Sequence, residues 1–265
     1  MKHPGPSGSR ASAACPSGFS DGRIPVWGVH PVRELLKLRP GQCSGIFILP
    51  SFGRKRQQAA LVSLAERNSV TVYRTDSFNS IVPPGTVHQG VVAMTAPFWE
   101  TGFDEIPTLF KGSPPLVLVC DGISDPHNLG AVMRNCVAFG AGCVMFQERN
   151  SSPVTGTVAK ASAGALFHLG VCRVKNLAGS MGRLRKKGIW IAGMSADGEK
   201  RLDEFDMTVP LALVAGSEHS GLRPVVRREC DIMLKIPMTG RLDSLNVASA
   251  SAVALYEASR QRSTL

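Results

Sequence analysis

Three stretches of the chain combine residue types whose spacing can do chemistry. The first, Asp121 to Arg134, reads DGISDPHNLGAVMR. Asp125-Pro126 is a turn signal, Asn128 can cap the helix that follows, and Gly130 permits close backbone approach. Asn128 and Arg134 lie six positions apart, under two helical turns, so both can border one pocket near the helix start. Arg134 stands among Val132, Met133, Cys136 and Val137, so its guanidinium must reach an anion or the solvent edge. A phosphate suits its planar fork. The second stretch, Gly216 to Gly221, reads GSEHSG. Glu218 is exposed there on a tight turn, either as a helix N-terminal charge or as a polar contact to substrate or cofactor. The third, Ile236 to Ala254, reads IPMTGRLDSLNVASASAVA. Ser244 or Asn246 can cap the helix that begins there, and the small residues from Ala248 to Ala252 let another backbone approach closely. A loop between a strand end and a helix start offers unpaired backbone groups to a ligand, so this stretch reads as the floor of a cofactor site.

Other chemistries lack their residues. GSEHSG is followed by Leu222-Arg223 rather than the Lys-Ser/Thr that holds phosphate and magnesium, which argues against a nucleotide triphosphatase. Gly140-Ala141-Gly142 runs into Cys143-Val144-Met145, so the dinucleotide fingerprint is absent. His127 and His219 have no ligand spacing to a second His or Cys, and no metal site is expected. No Ser-His-Asp arrangement stands out.

The elements around these stretches alternate between strand and helix. Leu116 to Cys120 (LVLVC) is the kind of apolar run that forms a strand buried on both faces. A helix is expected over Asn128–Phe139, a strand over Cys143–Phe146, a helix over Val154–Ala163 and a short strand near Leu169. A basic helix follows over Leu177–Lys187, with strands at Ile189–Ala192, Leu211–Ala215 and Ile232–Ile236 and a last helix at Val247–Gln261. The pattern predicts an α/β domain over residues 115–265, built on a parallel sheet whose ligand loops lie at the carboxyl ends of strands.

A second, smaller α/β domain is expected over residues 24–96. Its helices are His30–Leu38 and Gly53–Asn68, and its strands are Gly45–Leu49, Val70–Tyr73 and Gly90–Met94. From Arg23 to Asp76, nine Lys and Arg residues face three acids, while the whole chain carries a net charge of +10. More than half of the excess therefore sits in this module, and its Arg54, Lys55 and Arg56 are candidate RNA-phosphate contacts. Residues 97–114 mix Pro, Gly and acids and read as a linker. Residues 1–23 read as a disordered tail or added sequence, with faint transit-peptide character. The seven cysteines include no C-x-x-C, which suits free thiols in a reducing, cytoplasmic setting, and no apolar run is long enough to span a bilayer.

Taken together, Asn128-Leu129-Gly130 with Arg134, the Gly216–Gly221 loop, and Ile236-Pro237-Met238 with Ser244-Leu245-Asn246-Val247 resemble the three motifs of the SpoU/TrmH family of SPOUT methyltransferases. Lys160 to Ala165 (KASAGA) is similar to the family's segment between the first two motifs. Trp27 to Val32 and His88 to Val92 resemble the substrate-binding domain of its bacterial 23S rRNA guanosine-2′-O-methyltransferase branch, a domain similar in fold to ribosomal protein L30e. His219 departs from the Gly of many members, and Ala248-Ser249 from the Ser that usually follows Asn-Val. The resemblance implies a trefoil knot in the catalytic domain, a homodimer with active sites at the interface, and transfer of a methyl group from S-adenosylmethionine to an RNA ribose 2′-hydroxyl. It implies cofactor contacts at Gly216, Ile236 and Leu245, with Met238 beside them. It further implies a part for Arg134 in removing the hydroxyl proton. A guanidinium has no acceptor to serve as a simple base, so Arg134 reads instead as a clamp on the target phosphate and a stabiliser of developing oxyanion charge, with Asn128, Glu218, Ser244 and Asn246 orienting the ribose. The expected substrate is rRNA. A tRNA enzyme, or a non-catalytic RNA-binding or ribosome-assembly factor on the same fold, are the alternatives.

Overall fold

The computed structural model describes residues 22–53, 55–218, 220–240 and 243–263. Arg54, His219 and the tail up to residue 21 lie outside the described residues. The chain forms two compact units, one ending at Pro97 and one beginning at Phe98.

The first unit is a four-stranded sheet with two helices. Its strands are β1 (Ile24–Trp27), β2 (Cys43–Ile48), β3 (Val72–Arg74) and β4 (Val91–Thr95), in the order β1-β4-β2-β3. β4 runs antiparallel to both neighbours, and β2 pairs with β3 in parallel. Helix α1 (Val29–Leu38) buries Val29, Val32, Leu35 and Leu36, the one-sided spacing of an amphipathic helix. Helix α2 (Arg56–Arg67) buries Leu61 and Ala65 and packs on α1. It starts three residues later than the Gly53 expected from sequence. Gly53 has φ +99, outside the helical region, and its N–H donates to Gln58 Oε1 at 3.2 Å. The basic run thus precedes the helix, with Lys55 at the N-cap position and only Arg56 in the first turn. One side of the sheet gathers Trp27, Phe47, Phe78, Val82, Val92 and Met94.

The second unit is built on a seven-stranded parallel sheet in the order β7-β6-β5-β10-β8-β11-β9. The strands are β5 (Leu116–Asp121), β6 (Cys143–Gln147), β7 (Gly170–Val174), β8 (Trp190–Met194), β9 (Lys200–Arg201), β10 (Leu211–Gly216) and β11 (Ile232–Lys235). The helices between them are α3 (Pro126–Ala138), α4 (Gly156–Ala161), α5 (Leu177–Lys186), α6 (Pro224–Arg227) and the final α7 (Val247–Arg262). All six residues of β5 are buried, as its unbroken apolar run predicts for a strand covered on both faces. From β5 the chain winds outward through β6 to β7, then crosses back to build the other half. β5 and β10 end up paired, Gly216 opposite Asp121. The winding direction reverses at this pair, and the carboxyl ends of β8, β10 and β11 on one side of it border the ligand-sized cleft.

Several local expectations change. Helix α3 is capped by Asp125, whose Oδ1 accepts the His127 N–H at 2.9 Å, rather than by Asn128. Pro126 occupies the first helical turn and moves the start upstream, where a missing N–H costs nothing. The stretch read as linker contains a 3-10 helix, Phe103–Phe110. Its Ile106 is fully buried in the core of the second unit, with Phe103 and Phe110 packed against the same cluster. β1 and the two-residue β9 had no sequence signal strong enough to register. Six cysteines among the described residues are free, five of them buried.

Candidate functional site

The loops after β8, β10 and β11 enclose a cleft of about 330 Å³. Its apolar wall is Met194, Ala215, Leu234, Ile236, Leu245, Val247 and Ala250, and Ser195, Ser217, Glu218 and Ser244 supply polar atoms. The volume lies within the roughly 300–1,000 Å³ typical of small-molecule sites, and a largely apolar wall with a few polar groups is their usual lining. All four residues expected to hold the cofactor, Gly216, Ile236, Met238 and Leu245, line it.

The Gly216 loop is folded tightly on itself. Ser217 and Gly221 exchange backbone hydrogen bonds of 3.1 and 3.0 Å, and Gly221 has φ +61. A Cβ at Gly216 would collide with the Gly221 backbone, so the turn closes only around glycine. A tether to β5 fixes its far end. Arg223 donates from its backbone N–H and from Nε to the two carboxylate oxygens of Asp121, at 2.8 and 2.6 Å, and from its guanidinium to Gln147 Oε1 at 2.7 Å. The Asp121 side chain is completely buried, and the two bonds from Arg223 take the place of water at its oxygens.

Beside the cleft, three of the expected catalytic residues meet. The Asn246 side-chain amide donates to Asn128 Oδ1 at 3.2 Å and to Glu218 Oε1. Its Oδ1 accepts the Ala248 N–H at 2.8 Å, which caps α7. One side chain therefore joins the starts of α3 and α7 to the β10 loop. Ser244 lines the cleft next to this cluster.

Arg134 stands apart. It is exposed and makes no hydrogen bond or ion pair with a described residue. Six residues at about 100° each put its side chain roughly 120° around α3 from Asn128, so the two do not share a face. Asn135 comes closer to the Asn128 face, and its side-chain amide donates to Ala248 O at 2.8 Å, fastening α3 to the first turn of α7. Sequence reading missed Asn135, Asp121 and Arg223. An apolar run ending in Asp121 was the available signal, but Asp121 and Gln147 lie 102 and 76 positions along the chain from Arg223, which bonds to both.

Of the candidate RNA contacts, Lys55 and Arg56 are exposed at the start of α2. Among the described residues no group of three or more His, Cys, Asp or Glu side chains is placed to hold a metal ion. No helix of the described residues is long and apolar enough to cross a membrane.

Comparison with known proteins adds relatives to this geometry. The model of the SpoU rRNA Methylase family matches residues 115–256, and that of the RNA 2′-O ribose methyltransferase substrate binding domain matches residues 25–100. The chain is 38% identical over 241 residues to the 23S rRNA (guanosine-2′-O-)-methyltransferase RlmB of Pseudomonas syringae pv. tomato, covering 90% of this chain and 96% of the relative. It is 35% identical over 239 residues to the same-named protein of Escherichia coli K12, covering 90% and 98%. Among solved structures, the SpoU methyltransferase AviRb from Streptomyces viridochromogenes in complex with AdoMet superimposes with a TM-score of 0.76 at 25% identity, over 92% of each chain. The TrmH/SpoU tRNA modifying enzyme of A. aeolicus matches with a TM-score of 0.53 at 28% identity, over 61% of this chain and 81% of its own.

Proposed function

The chain belongs to the SpoU rRNA methylase family, and from that premise we propose that it methylates the ribose 2′-hydroxyl of a guanosine in 23S rRNA. The observation that carries this reading is the Asn128–Asn246–Glu218 cluster beside a cleft lined by Gly216, Ile236, Met238, Ser244 and Leu245. Relatives of the same named activity extend over nearly the whole chain, the basic first unit included. The tRNA-modifying structure matches only 61% of it, which favours rRNA over tRNA as substrate.

The cleft suits S-adenosylmethionine, which supplies an electrophilic methyl group. Its apolar wall fits an adenine ring, and the tight glycine turn at Gly216 brings backbone groups to the edge where such a ring is read. Ile236, Met238 and Leu245 would hold the adenosine, with Ser244 at its polar side. Asn246 holds Glu218 and Asn128 in one rigid set. The second Glu218 oxygen bonds to no described residue and is available to a ribose hydroxyl. Holding the hydroxyl in line for transfer supplies much of the rate through positioning. Arg134, whose guanidinium offers donors and no acceptor, serves as a clamp on the target phosphate and a stabiliser of developing oxyanion charge rather than as a base.

The same reading makes the enzyme a homodimer with a knotted catalytic domain, acting in the cytoplasm where its rRNA is. Val253 and Tyr256, exposed apolar residues on α7, suit the joint between subunits. Calorimetric titration with S-adenosylmethionine, followed by transfer of its labelled methyl to 23S rRNA and tRNA transcripts, tests the assignment. Cofactor uptake with transfer to rRNA is expected. A protein that binds RNA without taking up cofactor would instead be a non-catalytic factor.

A further inference from the structure

The wall of the cleft that follows β8 is held from outside by a charged pair that does not line the cleft itself. β8 and β9 lie on either side of β11, where Leu234 stands opposite Met194 at the end of β8 and opposite Lys200 at the start of β9. Residues 195–199 therefore arch across β11. Gly198 rests directly on that strand, since a Cβ there would come within 2.5 Å of the Leu234 carbonyl carbon. Ser195 N–H donates to Leu234 O at 2.9 Å, and Gly198 N–H turns back to Ser195 O at 3.2 Å. Ser195 and Ala196 line the cleft beside Leu234 and Ile236.

Asp197 and Arg227 brace this arch. Arg227, the last residue of α6, donates through its two terminal nitrogens to the two Asp197 carboxylate oxygens at 3.1 and 3.0 Å. Its Nη1 also reaches Ser195 Oγ at 3.4 Å, and the Ser195 hydroxyl donates to Asp197 Oδ1. A fork of two bonds fixes orientation as well as distance. The bonds from Arg227 and Ser195 hold the Asp197 carboxyl below its ordinary range. Arg223, at the other end of the same short helix, already tethers the Gly216 loop. One element therefore fastens the loops after β8 and β10, two walls of a single cleft. A serine hydroxyl has one hydrogen and two lone pairs. Here the hydrogen goes to Asp197 and one lone pair to Arg227, so the lone pair that is left serves only a donor, such as an amine or hydroxyl of a bound nucleoside. The Arg227 and Asp197 side chains are 41% and 68% exposed, and at such exposure an ion pair adds little to folding stability.

We propose that Asp197 and Arg227 are positioning residues for the cofactor, fixing Ser195 and Ala196 as the β8 wall of the cleft and presenting the Ser195 oxygen to it as an acceptor. The inference rests on the S-adenosylmethionine reading of the cleft. It adds two residues from outside the lining, and it gives an exposed ion pair a role in ligand affinity rather than in folding.

Calorimetric titration of the full-length protein with S-adenosylmethionine tests this in Asp197→Ala, Arg227→Ala and the double variant. Each single variant should bind about tenfold more weakly, the scale of one oriented hydrogen bond. The double variant should be no weaker than either single one, because each removes the same brace. Asp197→Glu, which keeps the carboxylate, should regain affinity. In methyl transfer to 23S rRNA the KM for S-adenosylmethionine rises by the same factor while kcat at saturation holds. The melting temperature without cofactor stays within about 3 °C of wild type, as an exposed pair predicts. Asp104→Ala, which breaks a comparably exposed pair with Arg183 on α5, leaves cofactor affinity unchanged. Wild-type affinity in either single variant overturns the inference, as do additive losses in the double variant or an equal loss in Asp104→Ala. Cofactor uptake by wild type with no difference among the variants removes the brace and leaves the methyltransferase reading standing. Wild-type protein that takes up no S-adenosylmethionine removes both.

Discussion

At Asn246 a single amide does three jobs: it caps α7, holds Glu218 and reaches Asn128. Asn246→Ala should therefore cost both helix stability, about 1 kcal/mol for the cap, and the orientation of Glu218. Arg134 behaves differently because nothing described holds it. Arg134→Ala should leave folding and cofactor affinity unchanged and lower methyl transfer by about a hundredfold or more, the usual scale for losing a preorganised charge stabiliser. Wild-type turnover by that variant would remove Arg134 from the mechanism. At Gly216 the argument is steric. Gly216→Ala drives a methyl into the Gly221 backbone, so the turn must open, and calorimetry should find cofactor affinity reduced at least tenfold while RNA binding persists. Residue types placed Asn128, Glu218, Ser244 and Asn246 in loops at strand-to-helix junctions with helix capping as their open alternative, and the family resemblance singled them out as a set. The separation of Arg134 from Asn128 around α3 follows from their six-residue spacing at about 100° per residue, which closeness along the helix alone does not convey.

Individual elements reach the site through tethers that no local pattern announces. The Arg223–Asp121–Gln147 link ties the β10 loop to the ends of β5 and β6. Arg223→Ala would leave the buried Asp121 carboxylate with only the backbone N–H of residue 223, at roughly 2–3 kcal/mol given that the guanidinium is partly exposed. It should raise the KM for S-adenosylmethionine more than it changes kcat once the protein is folded. Thermal unfolding with and without cofactor separates the two effects. Arg262 plays a comparable part at the other end of the sheet, donating to Pro114, Pro115, Met207 and Val209 carbonyls, and burial pulls its guanidinium below the ordinary arginine range. Arg262→Ala should lower the melting temperature without altering cofactor affinity. The strands and long helices were legible because apolar runs and helical periodicity repeat over many residues. Phe103–Phe110 was not, because its single fully buried Ile106 sits in a short segment whose Pro and acids resemble a linker. The cap of α3 was misassigned for the related reason that Pro126 moved the helix start.

Across the whole molecule, charge and cleft divide the work between two units. Basic residues concentrate in the first unit and the cleft lies in the second, so ionic strength should weaken RNA binding steeply while leaving S-adenosylmethionine affinity nearly unchanged. Sedimentation of wild-type protein should give a dimer, and Val253→Glu with Tyr256→Glu should shift it toward monomer, placing like charges in the apolar joint. The α/β class and the existence of two units were readable from alternating patterns. The order β7-β6-β5-β10-β8-β11-β9 was not, since pairing across long separations leaves no local trace. The most direct test of the central claim is nucleoside analysis of 23S rRNA transcript incubated with the protein and labelled S-adenosylmethionine. The account predicts label in 2′-O-methylguanosine, lost with Arg134→Ala. Label on a base, or transfer undiminished in that variant, would contradict it.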